Sequence, residues 1–266
     1  MFQENIRFDH NDRRYYDSLP FRPNAKKLPS NFNIAYRRLQ CTYSKLKKVP
    51  DMMIKYHNNF MDLIDSGIME EVPSEERFKS TGVLYLPHHA VIKESSHTTK
   101  LRTVVDGSAH TIDSPSLNDC LFRGPVLLPD LTGLILRTRT YPILVSSDVQ
   151  KAFLMIGLNA DSKDFTRLIW VKDITSPPSR ENLRILRHCR VAFGLVSSPF
   201  LLAATILTHL DLNPSEFNNS IRSNTYVDNY FGGATNTEEA KELFHETRKI
   251  FASAAMNLRE FTSVEK

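Results

Sequence analysis

The chain has 266 residues, of which 41% are hydrophobic and 24% charged. That is ordinary for a globular protein and enough for one large or two modest domains. No apolar run reaches the roughly 18 residues that a bilayer span needs, and Met1 to His10 has no apolar core of the kind a signal peptide carries. An intracellular, cytoplasmic protein without a membrane partner is expected. Its three cysteines, Cys41, Cys120 and Cys189, are odd in number and far apart, with no Cys-x-x-Cys pair to suggest zinc. The charge is unevenly spread. Residues 1–50 carry eleven Lys or Arg against four acids, a local +7 within a total of +4, so residues 51–266 hold −3. A basic leader of this kind suits a polyanion, or is a solvated segment.

Residues 1–30 read as extended, since Pro20, Pro23 and Pro29 oppose helix. Residues 31–49 predict a basic helix that opens at Ser30 or Asn31 and stops at Pro50. A second helix follows over 51–66, with Phe60, Leu63 and Ile64 at helical spacing and Gly67 as its C-terminal cap. Short strands are expected at Val83–Leu86, Ala90–Ile92 and Leu101–Val105, with a turn at His97 to Lys100. Residues 126–139 predict a helix whose apolar face holds Leu127, Leu128, Leu131, Leu134 and Ile135. A strand then runs to Asp148. Further strands are expected at Leu168–Val171 and 184–191, and a helix at 198–210. A hairpin around Asp228 is followed by a helix opened by the capping box Asn236-Thr237-Glu238-Glu239. The order is that of an α+β protein without regular βαβ winding. Two domains are expected: 1–50 as basic leader and first helix, and 51–266 as the main body.

Two acidic segments eighty residues apart carry the chemistry. One is Ile143-Leu144-Val145-Ser146-Ser147-Asp148-Val149, the other Thr225-Tyr226-Val227-Asp228-Asn229-Tyr230-Phe231. Each sets a carboxylate at the edge of an apolar run. Two carboxylates held side by side can bind divalent ions that steady the attacking and leaving oxygens of phosphoryl transfer. Alone, Asp228-Asn229 also reads as a tight turn, because both residues tolerate left-handed backbone. Asp148 also reads as a helix N-cap. Phe153 could lie under a sugar and exclude a 2′-hydroxyl, or fill a core. Arg102 and Lys93 can neutralise phosphate, or be exposed strand charges. Gly194 permits close backbone approach. The triplet Asp65-Ser66-Gly67 matches a retroviral aspartic protease, but it closes an amphipathic helix pattern instead of a strand.

In order along the chain, Tyr85-Leu86-Pro87-His88-His89-Ala90-Val91-Ile92-Lys93, Thr99 to Ala109, Leu117 to Pro125, Asp148 to Phe153, Val191 to Pro199 and Tyr226-Val227-Asp228-Asn229 resemble the motifs of reverse transcriptases from BEL/Pao long-terminal-repeat retrotransposons. Asn257 to Phe261 resembles the segment just beyond them. The resemblance runs over roughly 15–262. It implies a right-hand polymerase fold with fingers and palm, the antiparallel palm sheet backed by helices; by length, no room for a thumb is expected. It implies an RNA-directed DNA polymerase that uses two Mg²⁺ or Mn²⁺ ions to add dNTPs to a primer 3′ end. Asp148 and Asp228 would be catalytic and, with Val149 and Asn229, would hold metal. Lys93, Arg102, Phe153, Phe193 and Gly194 would bind nucleotide, and Tyr226 and Val227 nucleic acid. The partners implied are an RNA or DNA template-primer, dNTPs and other segments of a pol polyprotein. The family has two adjacent aspartates where this chain has Asp228-Asn229, and loss of one charge implies weaker metal binding. The chain's length raises the alternative of a truncated remnant that binds nucleic acid without polymerising.

Overall fold

The alternation that precedes Asp148 builds the middle of a sheet. In the computed structural model, which describes residues 5–23, 27–77, 79, 81–92 and 101–265, strand Ile143–Val149 is flanked on both sides by antiparallel neighbours. The architecture is α+β, with small antiparallel sheets and helices. The chain divides into two compact units. The first comprises 18–123 and 157–198, and the second the residues through Asp17 with 124–156 and 199–266. Among the described residues no helix is long and apolar enough to cross a membrane.

In the second unit a four-stranded sheet runs in the order Thr225–Tyr226, Asn229–Ala234, Ile143–Val149, Leu258–Glu265. Helix Thr237–Ser253 buries Leu243, Thr247 and Phe251, one turn apart, in the core of this unit. Its start is capped by Asn236 as the sequence suggests, but the capping box does not close, because Glu239 reaches back to Thr235 instead of the Asn236 amide. Asn236 accepts from the Glu239 amide at 3.0 Å, and the Glu239 carboxylate accepts from the Thr235 amide at 2.9 Å. Helix Leu131–Thr140 begins later than expected, because Asp130 caps it through the Gly133 amide and Pro129 precedes it. Leu131 and Ile135, assigned to its apolar face, are exposed, and Leu134 is buried.

In the first unit, Pro50 does not merely end the first helix. That helix spans Phe32–Leu46, and Pro50 is the first residue of the next, Pro50–Asp65. Gly67, at φ 64°, closes the second helix. Strands Met69–Glu71, Leu183–His188 and Arg167–Val171 form a sheet, and His88–Ile92 pairs with Leu101–Val105 as a hairpin. Val83–Leu86, expected as a strand, is a fully buried extended segment without a ladder. Its amides bond in turn to Asp164, Ser30 and Arg167. The turn expected at His97 to Lys100 lies outside the described residues.

Two features hold this unit. Tyr56, Phe60, His88 and Trp170 pack with ring centroids 5.0–5.8 Å apart. The His88 ring sits between the Tyr56 hydroxyl at 2.6 Å and the Ile169 carbonyl at 3.0 Å. The second feature is an ion cluster. Arg187 donates to Glu70, Glu76 and Asp164 at 2.7–2.9 Å, and buried Arg167 donates to Asp164 at 3.0 Å. Guanidinium groups with so little water survive only when paired this fully.

Burial lowers the pKa of His88 to about 4 and that of His188 to about 3, from an ordinary 6.5. Below 6.5 the unfolded chain therefore takes up protons that the folded chain refuses until much lower pH. Stability is complete above about 6.5 and falls as the pH drops toward 4. The loss from His88 alone is on the order of 3 kcal/mol. Urea unfolding followed by fluorescence of the single Trp170 should show the midpoint falling between pH 7 and 5; a flat midpoint would contradict neutral burial.

Candidate active site

The central strand of the second unit alternates along its length. Ile143, Val145, Ser147 and Val149 are buried, while Leu144, Ser146 and Asp148 sit on the more open face. The register partner of Asp148 is Asn229 on one side and Arg259 on the other. Directly opposed residues share a face, so Asn229, Asp148 and Arg259 form a row across three strands. Asp228 stands one residue before Asn229, and its carbonyl accepts from the Val149 amide at 2.7 Å. The structure thus brings Asp148, Val149, Asp228 and Asn229 together at one end of the sheet.

The polar contacts in this row are specific. Asn229 Nδ2 donates to Asp228 Oδ1 at 3.0 Å. Arg259 Nη2 lies 3.3 Å from Asp148 Oδ2, with the two side chains 12% and 22% exposed. The other oxygen, Asp148 Oδ1, is buried without a hydrogen-bond partner. A buried carboxylate oxygen left unpaired is costly, and it is the kind of atom that a cation satisfies. Two carboxylates and a neutral amide oxygen are hard donors that suit Mg²⁺ or Mn²⁺. Among the described residues, no group of three or more His, Cys, Asp or Glu gathers to hold a metal. The candidate set is therefore thin in charge.

The turn differs from the expectation. Tyr226 pairs with Asn229, so the two-residue loop is Val227-Asp228 and Asn229 already belongs to the strand. The left-handed residue is Val227, at φ 56°, not Asp228 or Asn229. A β-branched residue is a poor occupant of that region, and glycine is usual in such loops. Tyr226 and Val227 are both half-buried. Phe153 lies in the turn Ala152–Met155 that follows the central strand. It is half-exposed between buried Ala152 and Leu154, so it does not simply fill the core.

The remaining candidates belong to the first unit. Arg102, on strand Leu101–Val105, has its guanidinium 5.9 Å from the Phe193 ring centroid. The Phe193 carbonyl accepts from the Val105 amide at 2.9 Å. Gly194, at φ 107°, leaves the space of a Cβ to the Val105 carbonyl, so its close approach is to the chain itself. Asn118 ties this corner together: Nδ2 reaches the Gly194 carbonyl at 3.2 Å, and Oδ1 accepts from the Val196 amide at 2.9 Å. Lys93 lies outside the described residues. Individual roles for Asn118 and Arg259 were missed from sequence, although both fall within quoted motifs.

No family model matches the chain, and no curated protein does. The fold is nonetheless known. A foamy viral protease-reverse transcriptase, solved in complex with double-stranded DNA, superimposes with a TM-score of 0.53 at 18% identity over 74% of this chain. The chain spans 28% of that protein's length. The fold is therefore reverse-transcriptase-like.

Strain at Val227 costs on the order of 1–3 kcal/mol, against about 0.5–1 kcal/mol for the freedom that glycine brings to the unfolded chain. Val227→Gly is expected to raise stability by about 1 kcal/mol in urea unfolding. A destabilised variant would show that the Val227 side chain contributes more than its backbone costs.

Proposed function

We propose that the chain is the fingers and palm portion of an RNA-directed DNA polymerase, from a retrotransposon of the BEL/Pao type. The observation that carries this reading is the ladder that sets Asp148 opposite Asn229 and bonds the Asp228 carbonyl to the Val149 amide. The foamy viral likeness supports the fold, and that protein's bound DNA supports nucleic acid as the partner. In this reading the second unit's sheet is the palm, and the basic leader 1–50 faces a polyanion.

Asp148 and Asp228 would hold two Mg²⁺ or Mn²⁺ ions, joined by the Asn229 amide oxygen and the Val149 carbonyl. Such ions, when bound, supply charge neutralisation for in-line displacement at a phosphorus. The chain's own residues do the rest. Asp148 Oδ1, fixed by the strand, orients without searching. Arg102 and Lys93 neutralise the incoming triphosphate by charge. Phe153 and Phe193 offer aromatic faces to sugar and base, and Gly194, bare of a side chain, seats the loop that carries Phe193 against the Val105 carbonyl. Tyr226 and Val227 would border the primer end, the Val227 backbone holding Asp228 at the turn.

Primer extension on an RNA template, first with Mg²⁺ and then with Mn²⁺, tests this. Incorporation that Asp148→Ala abolishes is the expected result. Asn229→Asp should tighten metal binding by about tenfold, because it returns a carboxylate charge to the row. Template binding with no incorporation in either metal would instead identify a non-polymerising remnant.

A further inference from the structure

Arg259 has no part in the function proposed above, yet it donates directly to the carboxylate at the centre of the row. It is the direct register partner of Asp148, and only 12% of its side chain meets solvent. Beyond it the ladder slips. Pairing resumes at Thr262 with Ser146, which leaves one extra residue on the Arg259 strand, and Glu260 within that bulge has φ 51°. A bulge turns its flanking side chains away from the regular pleat, and a non-glycine residue at positive φ persists only where the surroundings hold it. The strand's irregularity thus falls beside the residue that grips the carboxylate.

We propose that Arg259 is a positioning residue that holds Asp148 Oδ2, so that Oδ1 alone is offered to a divalent cation, and that its charge weakens that cation's binding. This rests on the metal-binding reading of Asp148 and Asp228. The guanidinium binds Oδ2 at 3.3 Å while Oδ1 is buried and unpartnered, so the two oxygens of one carboxylate have separate duties. Charge in the row follows from its members. Asp148 and Arg259 cancel within it and Asn229 adds nothing, so the net −1 comes from Asp228 beside the row. A cation entering here meets one positive charge already in contact with its ligand. In a setting this shielded from water, removing a full charge outweighs removing one hydrogen bond. The planar guanidinium also orients a carboxylate more strictly than an ammonium does.

Titration of the whole chain with Mn²⁺, read by the electron paramagnetic resonance of the free ion, decides the matter. Arg259→Gln should bind Mn²⁺ about five- to tenfold more tightly than wild type, while melting at lower temperature without metal. Arg259→Lys keeps the charge and should stay within twofold of the wild-type Kd. A merely structural arginine would leave the Gln variant's affinity unchanged or weakened, and that result overturns the inference. If Arg259→Gln does not fold, the Lys variant decides, and a change of more than twofold in its Kd in either direction overturns it. Asp148→Ala in the wild-type background separates the two layers. Wild-type binding that this change abolishes, with no tightening by Arg259→Gln, sinks the inference and leaves the metal-binding reading standing. No Asp148-dependent binding in any variant sinks both.

Discussion

The candidate site depends on the antiparallel ladder at strand Ile143–Val149. The hydrogen-bond register alone decides that Asp148 stands opposite Asn229 on one neighbour and Arg259 on the other. A slip of one residue would send Asp148 to the buried face and bring Ser147 or Val149 out in its place. The register is held by what the strand buries. Ile143, Val145 and Val149 are each at most 8% exposed, and Tyr230 and Ala234 on the neighbouring strand are equally enclosed. The carboxylates thus inherit their position from apolar burial, the larger and non-directional term, and their own interactions need only set orientation.

The first unit is organised on a different principle. Its interior tolerates charge because the charges are matched. The carboxylate of Asp164 is burdened by burial, yet its pKa falls, because Arg187, Arg167 and Lys79 all donate to it. The same unit holds the neutral His88 imidazole within an aromatic cluster. Strand Leu101–Val105, which carries Arg102, is anchored at its end by the Phe193 carbonyl, and Asn118 binds the following Gly194 loop. Arg102 therefore sits on a strand framed by a backbone carbonyl and one amide side chain.

Much of this was legible in the sequence, for identifiable reasons. The strand leading to Asp148, the N-cap at Asn236 and the Gly67 stop were read correctly, because each rests on local physics that tertiary contacts did not override. Other parts were hidden. Leu258–Glu265 forms a full strand, yet after Leu258 most of it is exposed, so it carries no apolar alternation to betray it. Val83–Leu86 misled in the opposite way. It is apolar and buried, but its backbone bonds go to three separate segments instead of one partner strand. The turn was mislocated by one residue because Val227, a residue that propensity would exclude, takes the left-handed position. The pairing of Asp148 with Arg259 could not be read from a sequence separation of 111 residues without the ladder.

The likeness to a reverse transcriptase rests on fold at 18% identity, so the chemistry must be judged at Asp148 and Asp228 themselves. The most direct measurement is anomalous diffraction from crystals of the chain soaked in Mn²⁺. A peak is expected within coordination distance of Asp148 Oδ1 and the Asp228 carboxylate, with Oδ2 still on Arg259. Well-ordered carboxylates at the same sheet edge with no manganese peak between them would contradict it.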